Sequence, residues 1–144
     1  MLAYLKKLLA HPLLRDLAID DPRTTELRRR VIVEKPFLRR LYREWYDRLW
    51  ATLPPSEAGD VLEIGSGGGF LQEIHPEVIT SECFPCAGVN RVIDAQALPF
   101  ADQSLRGIVM VDVLHHIPNA EKFLSEATRC LRGGGRSFAG GTVE

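Results

Sequence analysis

The chain has 144 residues, of which 45% are hydrophobic and 26% charged, and its formal net charge is −1. This length and composition predict one soluble globular domain with a core of its own. No apolar run reaches the ~20 residues that cross a bilayer. The leucine-rich N-terminus is interrupted by Lys6 and Lys7, which argues against a signal peptide. Three cysteines do not form a disulfide framework, so we expect a reducing, cytoplasmic setting.

The charge is distributed unevenly along the chain. Residues 1–55 carry 12 Lys/Arg and 7 Asp/Glu, whereas residues 56–144 carry 6 and 12. Two interpretations stay open: the basic half docks onto the acidic half, or it also contacts an anionic substrate or membrane surface. The acidic half would repel phosphates, which disfavours nucleic acid as a partner. Membrane contact is not expected.

Helical periodicity dominates residues 1–55, which we predict to be a helical N-terminal segment. Leucines recur at helical spacing over residues 2–18, and Asp21 with Pro22 forms a helix start. A further helix begins at Pro36, with an apolar face on one side and charges mostly opposite. The aromatic residues of this helix either pack in the core or form a lid over a substrate. They are Tyr42, Trp45, Tyr46 and Trp50. A linker at residues 53–59 ends this segment.

From residue 56 onward, short apolar runs alternate with turns. The runs cover residues 60–65, 77–82, 91–94 and 107–114. Continuous Val/Ile/Leu runs are typical of parallel strands buried on both faces. A short helix is predicted for residues 69–75, and a longer one for 119–132, capped by Asn119 and ended by the glycines at 133–135. The pattern predicts an open α/β sheet that binds its ligand at the carboxyl ends of the strands.

The stretch VLEIGSGGGF, residues 61–70, contains the densest run of glycines. A dinucleotide-binding loop reads G-x-G-x-x-G, but here Gly65, Gly67 and Gly69 alternate and Phe70 takes the third glycine position. Glu63 precedes the loop, where a carboxylate would repel a pyrophosphate and attract an ammonium or sulfonium. Glycines let backbone N–H groups touch a ligand. The stretch therefore favours a cationic cofactor over a nicotinamide dinucleotide.

Two blocks carry a resemblance to a known family. VLEIGSGGGF resembles the first motif of class I S-adenosylmethionine-dependent methyltransferases. Residues 94–136, DAQALPFADQSLRGIVMVDVLHHIPNAEKFLSEATRCLRGGGR, resemble the small-molecule branch called type 11. The resemblance runs from about residue 60 to 136 and implies a Rossmann-like, mostly parallel sheet with flanking helices and S-adenosylmethionine as cofactor.

The resemblance also implies roles for individual residues. Glu63 and the loop Gly65, Ser66, Gly67 and Gly69 would hold the methionine end of the cofactor. Glu82 would accept hydrogen bonds from the ribose hydroxyls. Asp94 and Ala95 would bind the adenine. Val111 and Asp112 would line the pocket where the methyl group meets its acceptor.

Methyl transfer needs alignment of the acceptor, exclusion of water and, for some acceptors, removal of a proton. His115 and His116 follow the fourth strand, and either is a candidate general base or a locally packed side chain. The stretch VDVLHHIP lacks the Asn/Asp-Pro-Pro-aromatic turn of nucleobase amine methyltransferases. We therefore expect a small-molecule, lipid or sugar hydroxyl or amine as acceptor.

Three features depart from the family pattern, and one of them is Arg106, which stands where the family usually has Asp. The connection at residues 83–90 is too short for the customary crossover helix, so we expect a loop. It contains Cys83 and Cys86, a C-x-x-C pair that cannot complete a zinc site, and no metal is predicted. The sequence stops where a fifth strand, predicted from residues 136–140, would begin. We expect a sheet shortened at its C-terminal side, and a second copy of the chain could cover the open edge in a homodimer. The alternative function is a cofactor-binding module without catalysis.

Overall fold

The structure, a computed structural model, describes residues 22–54 and 59–140, with side chains described for residues 23–54 and 59–133. The predicted helix at residues 2–18, the cap at Asp21 and part of the linker lie outside the described residues. No helix in the described ranges is both long enough and apolar enough to span a membrane.

Two helices precede the sheet. Helix α1 covers Pro22–Glu34 and helix α2 covers Pro36–Ala51. Lys35 separates them in an extended conformation, φ −94° and ψ 110°, because the ring of Pro36 disfavours helical geometry at the preceding residue. Pro36 then opens α2, where a missing N–H costs nothing. Within α2, Tyr46 is the aromatic residue that is fully buried.

Five parallel strands form one open sheet in the order β3-β2-β1-β4-β5. The sheet is the α/β architecture predicted above, with each strand close to its expected position. The elements of this part of the chain are β1 (Asp60–Ile64), α3 (Leu71–Ile74), β2 (Val78–Glu82), β3 (Arg91–Val92), β4 (Leu105–Val111), a 3-10 turn (Leu114–His116), α4 (Ala120–Cys130) and β5 (Leu131–Gly140).

Both faces of the sheet are buried, as the continuous apolar runs predicted. Alternate residues of β1 point to opposite sides: Leu62 packs with Phe123 and Ala127 of α4. Val61 packs on the other side with Ile32 of α1, Tyr46 of α2 and side chains of α3. The N-terminal helices therefore share a core with the sheet, and this packing holds α1 and α2 against β1.

The connection from β2 to β3 contains no helix, which confirms the loop predicted for residues 83–90. Asn90 fixes its end. Its side-chain oxygen accepts hydrogen bonds from the amide and hydroxyl of Thr80 and from the side chain of Gln72, at 3.1, 3.0 and 2.7 Å. These bonds attach the end of the loop to α3 and β2.

The prediction for the end of α4 was wrong. Asn119 does cap the helix, its side chain accepting from the amide of Lys122 at 2.9 Å. The helix ends at Cys130, however, and the glycines at 133–135 lie within β5 instead of ending the helix. Pairing of β5 with β4, from Leu105↔Leu131 to Val111↔Gly140, outweighs the weak strand propensity of these glycines.

Candidate functional site

The glycine loop, residues 65–70, begins where β1 ends and is fixed to β2. The amide of Ser66 donates to the carbonyl oxygen of Ser81 at 2.9 Å, and the amide of Ser81 donates to Oγ of Ser66 at 3.1 Å. Gly65 and Gly67 have φ of +66° and +32°, in the region that glycine adopts most easily. The loop thus lies at the carboxyl edge, where open α/β sheets bind ligands.

Two helices of the chain cover this loop closely. A Cβ on Gly68 would lie 3.0 Å from the backbone nitrogen of Arg29 in α1. A Cβ on Gly69 would overlap the phenolic oxygen of Tyr46, which accepts a hydrogen bond from the amide of Phe70 at 3.2 Å. Burial raises the pKa of Tyr46 well above its ordinary value, so the phenol stays neutral. On this side, the glycines provide space for the protein's own helices.

Arg29 attaches α1 to the loop. Its guanidinium donates to the carbonyl oxygen of Gly69 and forms an ion pair with Glu73 of α3. Earlier in the same helix, Thr24 and Thr25 are buried, and the methyl group of Thr25 comes within 3.7 Å of a Cβ built on Gly67. Helix α1 is therefore a roof over the glycine loop.

A cavity of about 130 Å³ lies beneath this roof, lined by Glu63, Ser66, Gly67, Gly69 and Arg29 among others. The side chain of Glu63 is 3% exposed, and its Oε2 has no hydrogen-bond partner among the described residues. Burial raises the pKa of Glu63 to about 7, although a hydrogen bond from Ser66 and the charge of Arg29 oppose the shift. The cavity thus contains an incompletely satisfied carboxyl group.

These features fit the positively charged end of S-adenosylmethionine. An unpaired buried carboxylate is unfavourable, and a cation beside it removes most of that cost. An ammonium or sulfonium group next to Oε2 of Glu63 would supply the missing partner. The residues present are therefore compatible with the cofactor that the sequence suggested.

Glu82 ends β2 beside the same loop. Its carboxylate accepts hydrogen bonds from the amides of Gly67 and Cys83, the latter at 3.2 Å. Burial nevertheless raises the pKa of Glu82, and these two hydrogen bonds and the charge of Arg28 partly oppose this rise. A carboxylate at the end of the strand next to the loop is well placed for a vicinal diol.

Asp94 and Ala95 follow β3 and lie outside that cavity. The carboxylate of Asp94 is exposed and accepts two hydrogen bonds from Gln96, from its amide at 2.8 Å and its side chain at 3.2 Å. These bonds hold the pKa of Asp94 below its ordinary value. Ala95 is buried in the core beneath the sheet. The turn is ordered by its own contacts, with the Asp94 carboxylate facing solvent.

The end of β4 brings the remaining predicted residues together. Val111 is half-buried, and Asp112 turns the chain with a φ of +57°. Nδ1 of His115 lies 3.6 Å from Oδ1 of Asp112, and the rings of His115 and His116 are 3.9 Å apart. The side chain of Val113 packs against Gly65. The predicted acceptor side is thus an exposed acidic and imidazole cluster next to the glycine loop.

The cysteines are free thiols. Cys83 is exposed, Cys86 half-buried and Cys130 buried. Burial and the neighbouring carboxylates of Glu82 and Glu26 raise the pKa of Cys86, which lowers its reactivity.

Sequence reasoning missed the contribution of α1. Arg29 belongs to a run of three arginines, residues 28–30, and Thr24 with Thr25 forms a polar pair at the start of the helix. The apolar spacing of α1 could have indicated its buried face, but not which element that face covers. Tyr46 was considered only as one member of an aromatic stripe.

The strand order and the glycine loop after β1 are those of a known fold. The chain has the Rossmann-like fold of the class I S-adenosylmethionine-dependent methyltransferases. In addition, residues 73–139 match the family model described as a methyltransferase domain.

Solved structures agree with this fold. A protein from Bacillus halodurans C-125 that is described as a methyltransferase is 27% identical over 65% of this chain and 45% of its own, with a TM-score of 0.54. A protein from Methanococcus maripaludis that is described as an S-adenosyl-L-methionine-dependent methyltransferase is 15% identical over 88% of this chain and 66% of its own, with a TM-score of 0.61. Geranyl diphosphate C-methyltransferase from Streptomyces coelicolor, in complex with S-adenosyl-L-homocysteine, is 20% identical over 85% and 52%, with a TM-score of 0.50.

The chain spans about half the length of the first solved structures it matches. No curated protein sequence matches it significantly. The comparisons therefore establish the fold, and the cofactor and the methyl acceptor are taken up in the proposal below.

Proposed function

We propose that this chain binds S-adenosylmethionine and takes part in methyl transfer to a small molecule, lipid or sugar. The observation that carries the proposal is Oε2 of Glu63, buried and unpartnered in a cavity against the glycine loop. When bound, the cofactor supplies a methyl group on a sulfonium, which is an excellent leaving group. The protein then has to bind, orient and exclude water.

The described residues divide these tasks. Glu63 would pair with the positively charged methionine end, and Glu82 would accept from the ribose hydroxyls. Asp94 and the backbone of Ala95 would bind adenine at the end of β3. Val111 and Asp112 would border the methyl group and its acceptor. These positions lie at or just beyond the carboxyl ends of adjacent strands, in the order in which an extended cofactor would cross them.

His115 is our candidate for the group that removes a proton from a hydroxyl or amine acceptor. Asp112 lies 3.6 Å from its Nδ1 and would orient the imidazole, leaving Nε2 to face the acceptor. His116 lies beside it and close enough to Glu82 to affect the pKa of that carboxyl. We assign His116 to positioning and His115 to proton removal.

A second function, cofactor binding without transfer, is favoured by one observation. The cavity at Glu63 is about 130 Å³, whereas ordinary small-molecule pockets measure roughly 300–1,000 Å³. Helix α1 would have to move for a whole cofactor to bind over the loop. A chain in which α1 stays in place would bind weakly and not catalyse.

Calorimetry with S-adenosylhomocysteine and S-adenosylmethionine tests the proposal. We expect both to bind, and Glu63→Gln to weaken S-adenosylmethionine more than tenfold, because the amide loses the charge that faces the sulfonium and ammonium. Glu77→Gln, an exposed carboxyl at the other end of β2, is the matched control and should bind normally. Absence of binding to the unaltered chain would refute the proposal.

Turnover separates the two functions. Release of S-adenosylhomocysteine would be followed over a panel of hydroxyl and amine acceptors. Release of S-adenosylhomocysteine that is faster with an acceptor than without one supports methyl transfer. Binding with no release on any acceptor supports the binding module instead.

We also propose that β5 pairs with a second copy of the chain. Among the described strands β5 lies at one edge of the sheet, bonded only to β4. Such an edge presents unpaired backbone groups that favour association. Analytical ultracentrifugation should show a dimer, and a monomer at every concentration would refute this part.

A further inference from the structure

A second concave site lies on the outer side of the N-terminal helices. It is a groove of about 510 Å³ between the first half of α2 and α3. Three arginines of α2 line it, together with the apolar side chains of Pro36, Phe70 and Ile74 and the carboxylate of Glu73. Phe37, next to Pro36 in the chain, is 74% exposed and is the most exposed large apolar side chain of the described residues. We call this site the arginine groove, and we define it by the lining residues Arg39, Arg40, Arg43, Phe70 and Ile74.

The charges of the arginine groove are poorly compensated. Among the described residues, no carboxylate lies within ion-pair distance of Arg39. Arg40 and Arg43 have acidic neighbours on α2 only at 3.8 and 3.7 Å, longer than the ~2.7–2.9 Å of a strong charged hydrogen bond. The carboxylate of Glu73 is already engaged by Arg29. Arg39 therefore lacks an acidic partner among the described residues, and Arg40 and Arg43 have only long ion pairs.

We propose that the arginine groove binds a phosphate-bearing amphiphile. Guanidinium groups bind phosphate oxygens in a planar, bidentate manner, and three of them match a dianionic head better than a single carboxylate. The exposed side chain of Pro36 and the partly exposed one of Ile74 would cover part of an alkyl chain, and burial of each methylene adds to affinity. The groove and the cavity at Glu63 share Phe70 and Glu73 in their linings, but none of the three arginines lines the cavity. This proposal therefore does not depend on methyl transfer.

Calorimetry with dodecyl phosphate below its micellar concentration tests the site. We expect binding that weakens with salt, and at least tenfold loss in the double variant Arg39→Gln/Arg43→Gln, since hydrogen bonds to charged groups contribute on the order of tenfold each. Arg48→Gln, on the same helix but outside the groove, is the matched control. Dodecyl maltoside and inorganic phosphate should bind far more weakly than dodecyl phosphate.

Equal affinity of the double variant and the unaltered chain would overturn the proposal, as would equal binding of dodecyl phosphate and dodecyl maltoside. S-adenosylhomocysteine binding, measured in the same double variant, should be unchanged. Loss of both ligands together would mean a folding defect, which circular dichroism and the single variant Arg39→Gln resolve.

The source of the phosphate is decided by vesicles. Co-sedimentation with phosphatidic acid in phosphatidylcholine, lost in the double variant and absent with phosphatidylcholine alone, assigns the groove to a lipid headgroup. Binding of dodecyl phosphate without vesicle binding assigns it to a free phosphate-bearing molecule. Binding to neither overturns the site.

Discussion

The phenolic oxygen of Tyr46 occupies the space that a side chain at Gly69 would need. This contact joins α2 to the glycine loop, because the same oxygen accepts the amide hydrogen bond of Phe70. Packing of the chain's own helices therefore already requires part of the glycine pattern. A glycine-rich loop can be constrained from both sides: by a ligand on one and by a helix on the other.

Gly69→Ala should destabilise the protein. The new methyl group would overlap the Tyr46 hydroxyl and lie 2.9 Å from the carbonyl oxygen of Ser66, and overpacking of this kind costs about 1–3 kcal/mol. Urea denaturation measures the loss. Gly133→Ala, where a Cβ meets nothing within 4 Å, is the control and should be nearly neutral. Addition of Tyr46→Phe should recover part of the loss, and failure to recover any would contradict the assigned contact.

The stability of the protein should fall as the pH rises through neutrality. The pKa of Glu63 increases from 4.5 to about 7 on folding, so the folded chain holds this proton more tightly than the unfolded chain. The resulting stabilisation is complete below pH 4.5 and is lost as the pH rises through 7. Its size is about 3 kcal/mol at one residue.

Urea denaturation of the unaltered chain and of Glu63→Gln at pH 5 and pH 8 measures this contribution to stability. The amide does not titrate, so the variant should lack that part of the pH dependence. At pH 8 it should therefore be more stable than the unaltered chain. Parallel profiles of the two proteins would show that Glu63 does not titrate in this range. Glu77→Gln provides the reference for an exposed carboxyl.

The pKa of Glu63 should rise further in Arg29→Ala. The guanidinium of Arg29 favours the ionised carboxylate, and its removal leaves burial less opposed. NMR titration of the carboxyl carbon of Glu63 measures the change. Arg30→Ala is the matched control: Arg30 neighbours Arg29 but pairs with Glu34 at 2.7 Å, away from the cavity. A pKa that stays near 7 in both variants would place Arg29 outside the electrostatic environment of Glu63.

Asp112→Gly should separate stability from activity. Asp112 has a φ of +57°, a conformation that glycine adopts without steric cost. After subtraction of the entropic cost of glycine, the variant should be more stable by about 0.5–1 kcal/mol. Turnover should nevertheless fall, on the order of tenfold, because His115 loses the group that orients it.

Gln103→Gly is the control for that experiment. Gln103 also has a positive φ, 51°, but lies in the turn before β4, away from the carboxyl edge. It should gain stability and keep its activity. A loss of activity in both variants, or in neither, would contradict the role of Asp112.

Local patterns predicted most of the fold. The continuous apolar run of β1 and the capping residue Asn119 each act within a few residues, so the sequence displays them directly. The end of α4 was mispredicted because glycines at 133–135 usually terminate helices. Here the pairing of β5 with β4, between residues more than 20 positions apart, decides their conformation.

The candidate site was predicted unevenly for the same reason. Glu63 and the glycines form one contiguous motif and were found together. Arg29 reaches Gly69 from 40 residues earlier in the chain, and Tyr46 from 23 residues earlier. No local pattern marks those contacts, since they arise when α1 and α2 pack against β1.

The sequence by itself determined the strands, the loop with Glu63 ahead of it, and the resemblance to a methyltransferase, because periodicity and motif spacing are local properties. Only the tertiary structure decided that α1 roofs the loop, that Glu63 is buried without a full set of partners, and that three arginines share a groove with Phe70. Burial, and with it the pKa of a carboxyl group, depends on which distant helices exclude water from it.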